Sequence, residues 1–200
     1  MTTPVRLLVL SGSSRQGSLN RRLVRAAAAH AQTLGATLEE LDLRALNLPV
    51  IDEDLEREQG VPAGAFELRR AMAQADGLLL ASPEYNALPA PLLLNAFDWL
   101  SRVQVSEDGL PSGIGATTGK PVGLLGASPG GYGGIRQMPL LRIFLSTNFQ
   151  MHVVPEQLAL GGAAEAFDSD TQLKSPVMQQ ALERVAASVV RAARGFRSQA

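Results

Sequence analysis

Three short segments of this chain combine hydroxyl, guanidinium, aromatic and glycine residues in ways that suit ligand chemistry. The first is SGSSRQGSLN at residues 11–20, just ahead of an apolar pattern with helical spacing. Free backbone N–H groups at a helix start attract an anion. Ser13, Ser14 and Ser18 add hydroxyl donors, and Arg15 adds a planar fork. Each charge-assisted bond contributes about 1.5–3 kcal/mol. The set suits a phosphomonoester, although Ser18 alone is an ordinary N-cap. The second segment is SPEYN at residues 82–86, after the apolar run at 77–81. Proline cannot donate to a ladder, so the strand stops by Pro83. Tyr85 can lie against a planar ring while neighbouring amides bond its edge. Taken singly, Tyr85 is a half-buried aromatic, Glu84 a solvated carboxylate or helix cap, and Asn86 a turn former. The third segment is GASPGGYGG at residues 126–134. Its glycines either let backbone approach a flat ligand or make a mobile turn. Tyr132 stands where it can cover a ring.

Other chemistries fit poorly. The dinucleotide fingerprint G-x-G-x-x-G is missing from the first segment, and Gly119-Lys120-Pro121 lacks the spacing and hydroxyl of a nucleoside-triphosphate loop. Lys120 then reads as a solvated residue before a strand. The chain has no cysteine, which removes thiolate nucleophiles, disulfides and thiolate metal sites together. No metal site is expected. The two histidines, His30 on an apolar helix stripe and His152 in a short strand, read as packing residues rather than catalysts.

The three segments gain meaning from the elements around them. Apolar strand patterns at 5–10, 37–43, 76–82, 121–127 and 151–154 alternate with helical patterns at 19–34, 62–75, 92–100, 134–148 and 177–194. Residues 47–60, 103–119 and 161–175 read as loops. Five strands alternating with helices predict an α/β three-layer sandwich with a parallel sheet. Right-handed crossovers favour the strand order 2-1-3-4-5. In that order strands one, three and four are neighbours, so the three segments line one crevice at the carboxyl edge. Separate bland readings do not explain that coincidence.

The 200 residues, 46% of them apolar, suit one domain over residues 1–200. A net charge of −1 and no basic run argue against nucleic acid. No apolar stretch approaches the roughly 20 residues of a membrane span, and the apolar stretch near the start is too short for a signal core. A cytoplasmic protein without a membrane partner is expected. Trp99, with Leu93 and Phe97, reads either as core or as part of a subunit interface, the interface being preferred, and Arg102 as a helix C-cap in preference to a phosphate contact.

The Gly12-Ser13-Ser14-Arg15 run with Ser18 and Asn20 resembles the phosphate loop of the NAD(P)H-dependent FMN reductase family. Pro83-Glu84-Tyr85-Asn86, followed by the run from Asn95 to Trp99, resembles that family's isoalloxazine loop and next helix. Residues 126–130 resemble its third loop, and the likeness covers roughly residues 5–154. The resemblance implies a flavodoxin-like fold, FMN as cofactor and NADPH or NADH as co-substrate. Ser13, Arg15, Ser18 and Asn20 would hold the phosphate and ribityl chain. Pro83, Glu84, Tyr85 and Asn86 would line the flavin ring, and Ser128 and Gly131 would close the other side. Hydride would pass from NAD(P)H through FMN to a flavin, a quinone or a similar small acceptor, with no protein acid or base required. A homodimer or homotetramer is implied. Leu88, Ala90-Pro91 and Leu94 depart from the family pattern and make the second loop more apolar and stiffer. Two rivals are a flavodoxin-type electron carrier without NAD(P)H turnover and a flavin-free binding domain. Carriers dock through acidic surfaces, and this chain is nearly neutral.

Overall fold

A strand that is apolar at every position needs cover on both faces, and the central strands of this protein have it. The structure, a computed structural model, describes residues 4–105 and 109–198. Along the chain run β1 (Arg6–Ser11), α1 (Leu19–Thr33), β2 (Thr37–Leu41), α2 (Glu53–Gln59), α3 (Ala63–Gln74) and β3 (Gly77–Ala81). A small hairpin of β4 (Glu84–Tyr85) and β5 (Leu88–Pro89) follows, then α4 (Pro91–Arg102), β6 (Pro121–Ala127), α5 (Met138–Ile143), β7 (His152–Leu160) and α6 (Pro176–Arg197). The parallel sheet has the order β2-β1-β3-β6-β7, as expected from the pattern. This is a three-layer α/β fold.

Strand periodicity divides the core in two. Leu7, Val9, Leu79 and Leu125 face Leu23 and Ala27 of α1 and Val185 and Val189 of α6. Leu8, Leu10, Leu78, Leu80 and Leu124 face Leu68 and Met72 of α3, Leu93 and Phe97 of α4 and Leu141 of α5. Gly123 lets α6 approach closely: a Cβ there would stand 2.7 Å from Val185 Cγ1.

Several expectations need correction. Residues 47–60 are not all loop, because Asp52 caps α2 by accepting from the N–H groups of Asp54 and Leu55. The fifth strand is nine residues rather than four. Pro155 hid it, and β7 accommodates that proline because it is an edge strand with a register shift opposite Val122 and Leu124. Arg142 donates to the carbonyls of Val153 and Val154 at 3.0 and 2.9 Å, satisfying the bulged backbone. The helix expected from 134 begins only at Met138, and it ends in a π-helical turn at Phe144–Asn148. Lys120 is not solvated. Its Nζ donates to the carbonyls of Ala73 and Ala75 at the end of α3, and burial lowers its pKa. Trp99 is fully buried beside Ala65 and Val103, with its indole N–H donating to Pro49 O at 2.7 Å. It belongs to the core and offers nothing to a second subunit. Among the described residues Arg102 caps no carbonyl and instead pairs with Glu56 at 2.8 Å. The expected loop at 103–119 crosses residues 106–108, which, like 1–3, lie outside the described residues.

Candidate active site

Because β1, β3 and β6 are consecutive in the sheet, the loops that leave their carboxyl ends meet over one crevice. A cleft of about 180 Å³ opens there. Ser13, Arg15, Ser18, Asn20, Pro83, Glu84, Tyr85 and Ser128 line it, together with Leu19, Ala127 and Pro129. The sequence-expected residues are thus brought together, except Asn86 and Gly131. Those two lie on the same loops but outside the lining.

The first loop is an unfilled donor array. Gly12 N–H donates to Ala81 O and Ser13 N–H to Ser11 Oγ, while Arg15 N–H reaches Ser13 Oγ at 3.4 Å. Ser18 caps α1, its Oγ accepting from Arg21 N–H at 3.1 Å. Among the described residues no protein acceptor serves the N–H groups of Ser14, Gln16, Gly17, Ser18, Leu19 or Asn20. Arg15 is exposed and forms no ion pair among the described residues. Backbone donors, two serine hydroxyls and a guanidinium at the start of a 15-residue helix are the donor set an anion requires.

Asn20 has a second duty. Its side chain is buried, donating from Nδ2 to Ala127 O and accepting at Oδ1 from Ala127 N–H, both at 2.9 Å. This bond pair fastens the start of α1 to the end of β6, so the Asn20 amide is engaged before any ligand arrives.

The second loop folds into the β4–β5 hairpin, which sequence reading missed because each strand is only two residues long. Asn86 and Ala87 form its two-residue turn with φ of 53° and 69°. Positive φ at both positions is the type I′ pattern that matches strand twist. Asn86 therefore shapes the turn, and Tyr85 beside it is 44% exposed at the cleft. The Glu84 carboxylate is neither solvated nor a cap. It accepts from the backbone N–H and Nε of Arg136 at 3.0 and 2.6 Å, leaving chiefly its backbone for a ligand.

The third loop is ordered by glycine packing. Gly133 has φ +62° and a Cβ there would meet Ala159 C at 2.6 Å, while one on Gly161 would meet Gly131 O at 2.3 Å. These glycines seat the loop against the end of β7, so they do not make a loose turn. Ser128 Oγ donates to Gly130 O at 2.9 Å and accepts from Gly133 N–H at 3.1 Å. Tyr132 remains 66% exposed, with the Arg136 guanidinium 4.9 Å from its ring centre. Arg136 and the buried Gln137, whose Nε2 donates to Ser82 O, were missed. Their partners stand more than fifty positions away, and no local pattern signals such pairs. Arg44, which donates to Ser14 O at 3.3 Å across thirty positions, likewise carries no local signal.

His30 and His152 lie far from this edge. His30 sits in the last turn of α1 with Nδ1 4.0 Å from Glu183, and His152 opens β7 with its ring against Phe196 at 4.8 Å. Both are at the amino edge of the sheet. His152 is exposed rather than packed within the strand.

A family profile described as NADPH-dependent FMN reductase matches residues 5–165. An NAD(P)H-dependent FMN reductase of Pseudomonas aeruginosa is 31% identical over 176 residues, 86% of each chain. A quinone reductase of Escherichia coli is 35% identical over 146 residues, 72% of this chain and 71% of that one. The fold is shared with a flavoenzyme NAD(P)H:(acceptor) oxidoreductase of Paracoccus denitrificans, with a TM-score of 0.76 at 23% identity, covering 96% of this chain and 98% of that one. The protein belongs to the NADPH-dependent FMN reductase family, oxidoreductases that work with FMN and a nicotinamide nucleotide.

Proposed function

We propose that this chain, as one flavodoxin-like domain over residues 1–200, is an NAD(P)H oxidoreductase that holds FMN in the described cleft and reduces a small planar acceptor, a quinone or a free flavin. The observation that carries the reading is the set of unpartnered backbone donors at Ser14 and from Gln16 to Asn20, set beside an exposed tyrosine on the adjacent loop. Ser13, Arg15 and the N–H groups at the start of α1 would hold the phosphate, with Ser18 and Asn20 supporting the loop and the ribityl chain. Pro83, Tyr85, Asn86 and the Glu84 backbone would line the ring, and Ser128 and Gly131 would bound its other side. FMN supplies the chemistry of accepting a hydride and returning electrons to an acceptor.

The residues bind, orient and exclude. The hairpin pairs Leu88 across from the cleft-lining Tyr85, and the two are exposed by 54% and 44%. An apolar, aromatic rim favours a flat, weakly charged acceptor over a small oxyanion. Leu88, one of the departures from the family pattern, contributes to that rim. Ala90 and Pro91 serve the fold, since Ala90 packs on Gly12 and Pro91 opens α4. Hydride chemistry carried by the cofactor requires no protein acid or base.

A homo-oligomer is part of this proposal. Ile135, Leu140 and Ile143 are exposed around α5, an apolar surface of the kind that pairs with another subunit. A cytoplasmic location is likewise proposed. Among the described residues no helix is long and apolar enough to cross a membrane.

A visible spectrum of the purified protein tests the reading, taken after adding FMN and then NADPH and NADH under nitrogen. A protein-bound flavin band that bleaches with either nucleotide is expected. Bound flavin that bleaches with neither would favour the electron carrier, and no uptake of flavin would overturn the reading.

A further inference from the structure

The two walls of the cleft belong to different loops, and one side chain touches both. Arg136 binds the Glu84 carboxylate through its backbone N–H, its Nε and its Nη2. The Glu84 side chain is 7% exposed while that of Arg136 is 53% exposed, so the carboxylate lies inside and the arginine reaches in from the rim. The same guanidinium lies against the Tyr132 ring. Glu84 belongs to the hairpin that carries Tyr85, and Tyr132 to the glycine loop opposite.

A hairpin with two residues in each strand does not hold its own position. Its root is fixed: Ala90 N–H donates to Ser82 Oγ at 3.3 Å, and Gln137 Nε2 reaches Ser82 O at 3.4 Å. The first loop is fastened to its neighbours at the level of the sheet edge, by Gly12 to Ala81 and by Asn20 to Ala127. The Arg136–Glu84 bond acts further out, on the stem of the hairpin.

We infer that Arg136 is a positioning residue for the reaction, setting the gap between the Tyr85 hairpin and the Tyr132 loop and thereby the affinity for FMN and the access of the acceptor. This rests on the cleft being the FMN site. The pair joins a loop to the hairpin stem outside the parallel sheet, and taking away Arg136 leaves the largely buried Glu84 carboxylate short of its cation. Removal of the pair therefore loosens the hairpin while the sheet stays intact. Lysine cannot replace Arg136 fully, because an ammonium lacks the planar fork whose Nε and Nη2 both engage Glu84 Oε1, whereas the backbone N–H on Oε2 is common to every variant.

The test uses FMN-free protein titrated with FMN, followed by flavin fluorescence, with thermal melts of each flavin-free variant. Arg136→Ala and Glu84→Gln should each weaken FMN binding about tenfold, and the double variant should be no weaker than the worse single one, as for two members of one interaction. Arg136→Lys should fall between Arg136→Ala and the unaltered protein. In turnover, Arg136→Ala should raise the acceptor KM more than it lowers kcat. Unchanged FMN affinity in Arg136→Ala, or losses that multiply in the double variant, would overturn the inference. Should Arg136→Ala fail to fold, a folded Arg136→Lys with undiminished affinity overturns it equally. If the unaltered protein takes up no FMN, the proposed function fails first and the inference with it; if only the variants behave normally, the inference alone fails.

Discussion

Asn20→Ala is expected to destabilise the protein because one buried amide satisfies both backbone groups of Ala127. The substitution removes a donor at 2.9 Å and an acceptor at 2.9 Å at once. Leaving a buried polar group unpaired costs about 1–3 kcal/mol, so two such groups set a range of roughly 2–6 kcal/mol. Asn20 borders a cleft open to solvent, and water entering there recovers part of the loss. The expected cost is therefore about 2–3 kcal/mol, or a fall in Tm of roughly 4–12 °C for a chain of this size. Asn20→Asp adds a sharper comparison. The carboxylate still accepts from Ala127 N–H but sets an anionic oxygen against Ala127 O. Protonation restores the donor, so the folded state raises this carboxyl's pKa above its unfolded value of about 4. The deficit of Asn20→Asp is then fully present at neutral pH and shrinks as the pH falls through that raised pKa towards 4. Urea unfolding of the FMN-free proteins at pH 7 and pH 4.5 measures both effects. An Asn20→Ala stability within about 0.5 kcal/mol of the unaltered protein, the usual scatter for surface sites, would refute the clamp.

Arg15→Ala should weaken FMN binding by about 1.5–3 kcal/mol, towards the lower end because the side chain is exposed, and a flavin fluorescence titration reads it; unchanged affinity removes Arg15 from the phosphate site. Ala87→Gly should stabilise the protein, since a left-handed conformation costs a non-glycine residue roughly 1–2 kcal/mol and glycine's extra unfolded-state freedom returns about 0.5–1 kcal/mol of that. A higher urea midpoint is the expected result, and a lower one would contradict the turn geometry given by φ of 53° and 69°. Burial raises the pKa of Asp98 on α4, so its charge opposes folding above the raised pKa and ceases to matter below the ordinary value of 3.8. Asp98→Asn should accordingly raise the Tm at pH 7 and leave it unchanged near pH 3; equal melting at pH 7 would refute this.

The central strands were legible because each is a continuous apolar run, and only a sheet covered on both faces buries such runs. Two of the misread stretches show where local pattern fails. Pro155 breaks the apolar alternation of β7, yet an edge strand with a bulge tolerates it because the missing N–H faces no neighbour. The β4–β5 hairpin spans too few residues for any periodicity to register, and its turn rests on an alanine where sequence statistics favour glycine. Neighbouring helices that are apolar on more than one face point Trp99 towards an interface. Three-dimensional packing supplied the missing partners, Ala65 and Val103, and the Pro49 carbonyl for its N–H.

The identity of the three loops, and the order of the strands that brings them together, followed from residue type and spacing alone. Local chemistry governs both: helix starts expose donors, proline ends strands, and right-handed crossovers restrict topology. Which side chains remain free within those loops was decided only by tertiary structure. Asn20 is committed to Ala127, Glu84 to Arg136 and the hydroxyl of Ser128 to its own loop, while the backbone amides of Ser14 and of Gln16 to Asn20 stay open. Hydrogen bonds between residues fifty or a hundred positions apart depend on where the chain folds back, and a side chain already bonded there has little left for a ligand.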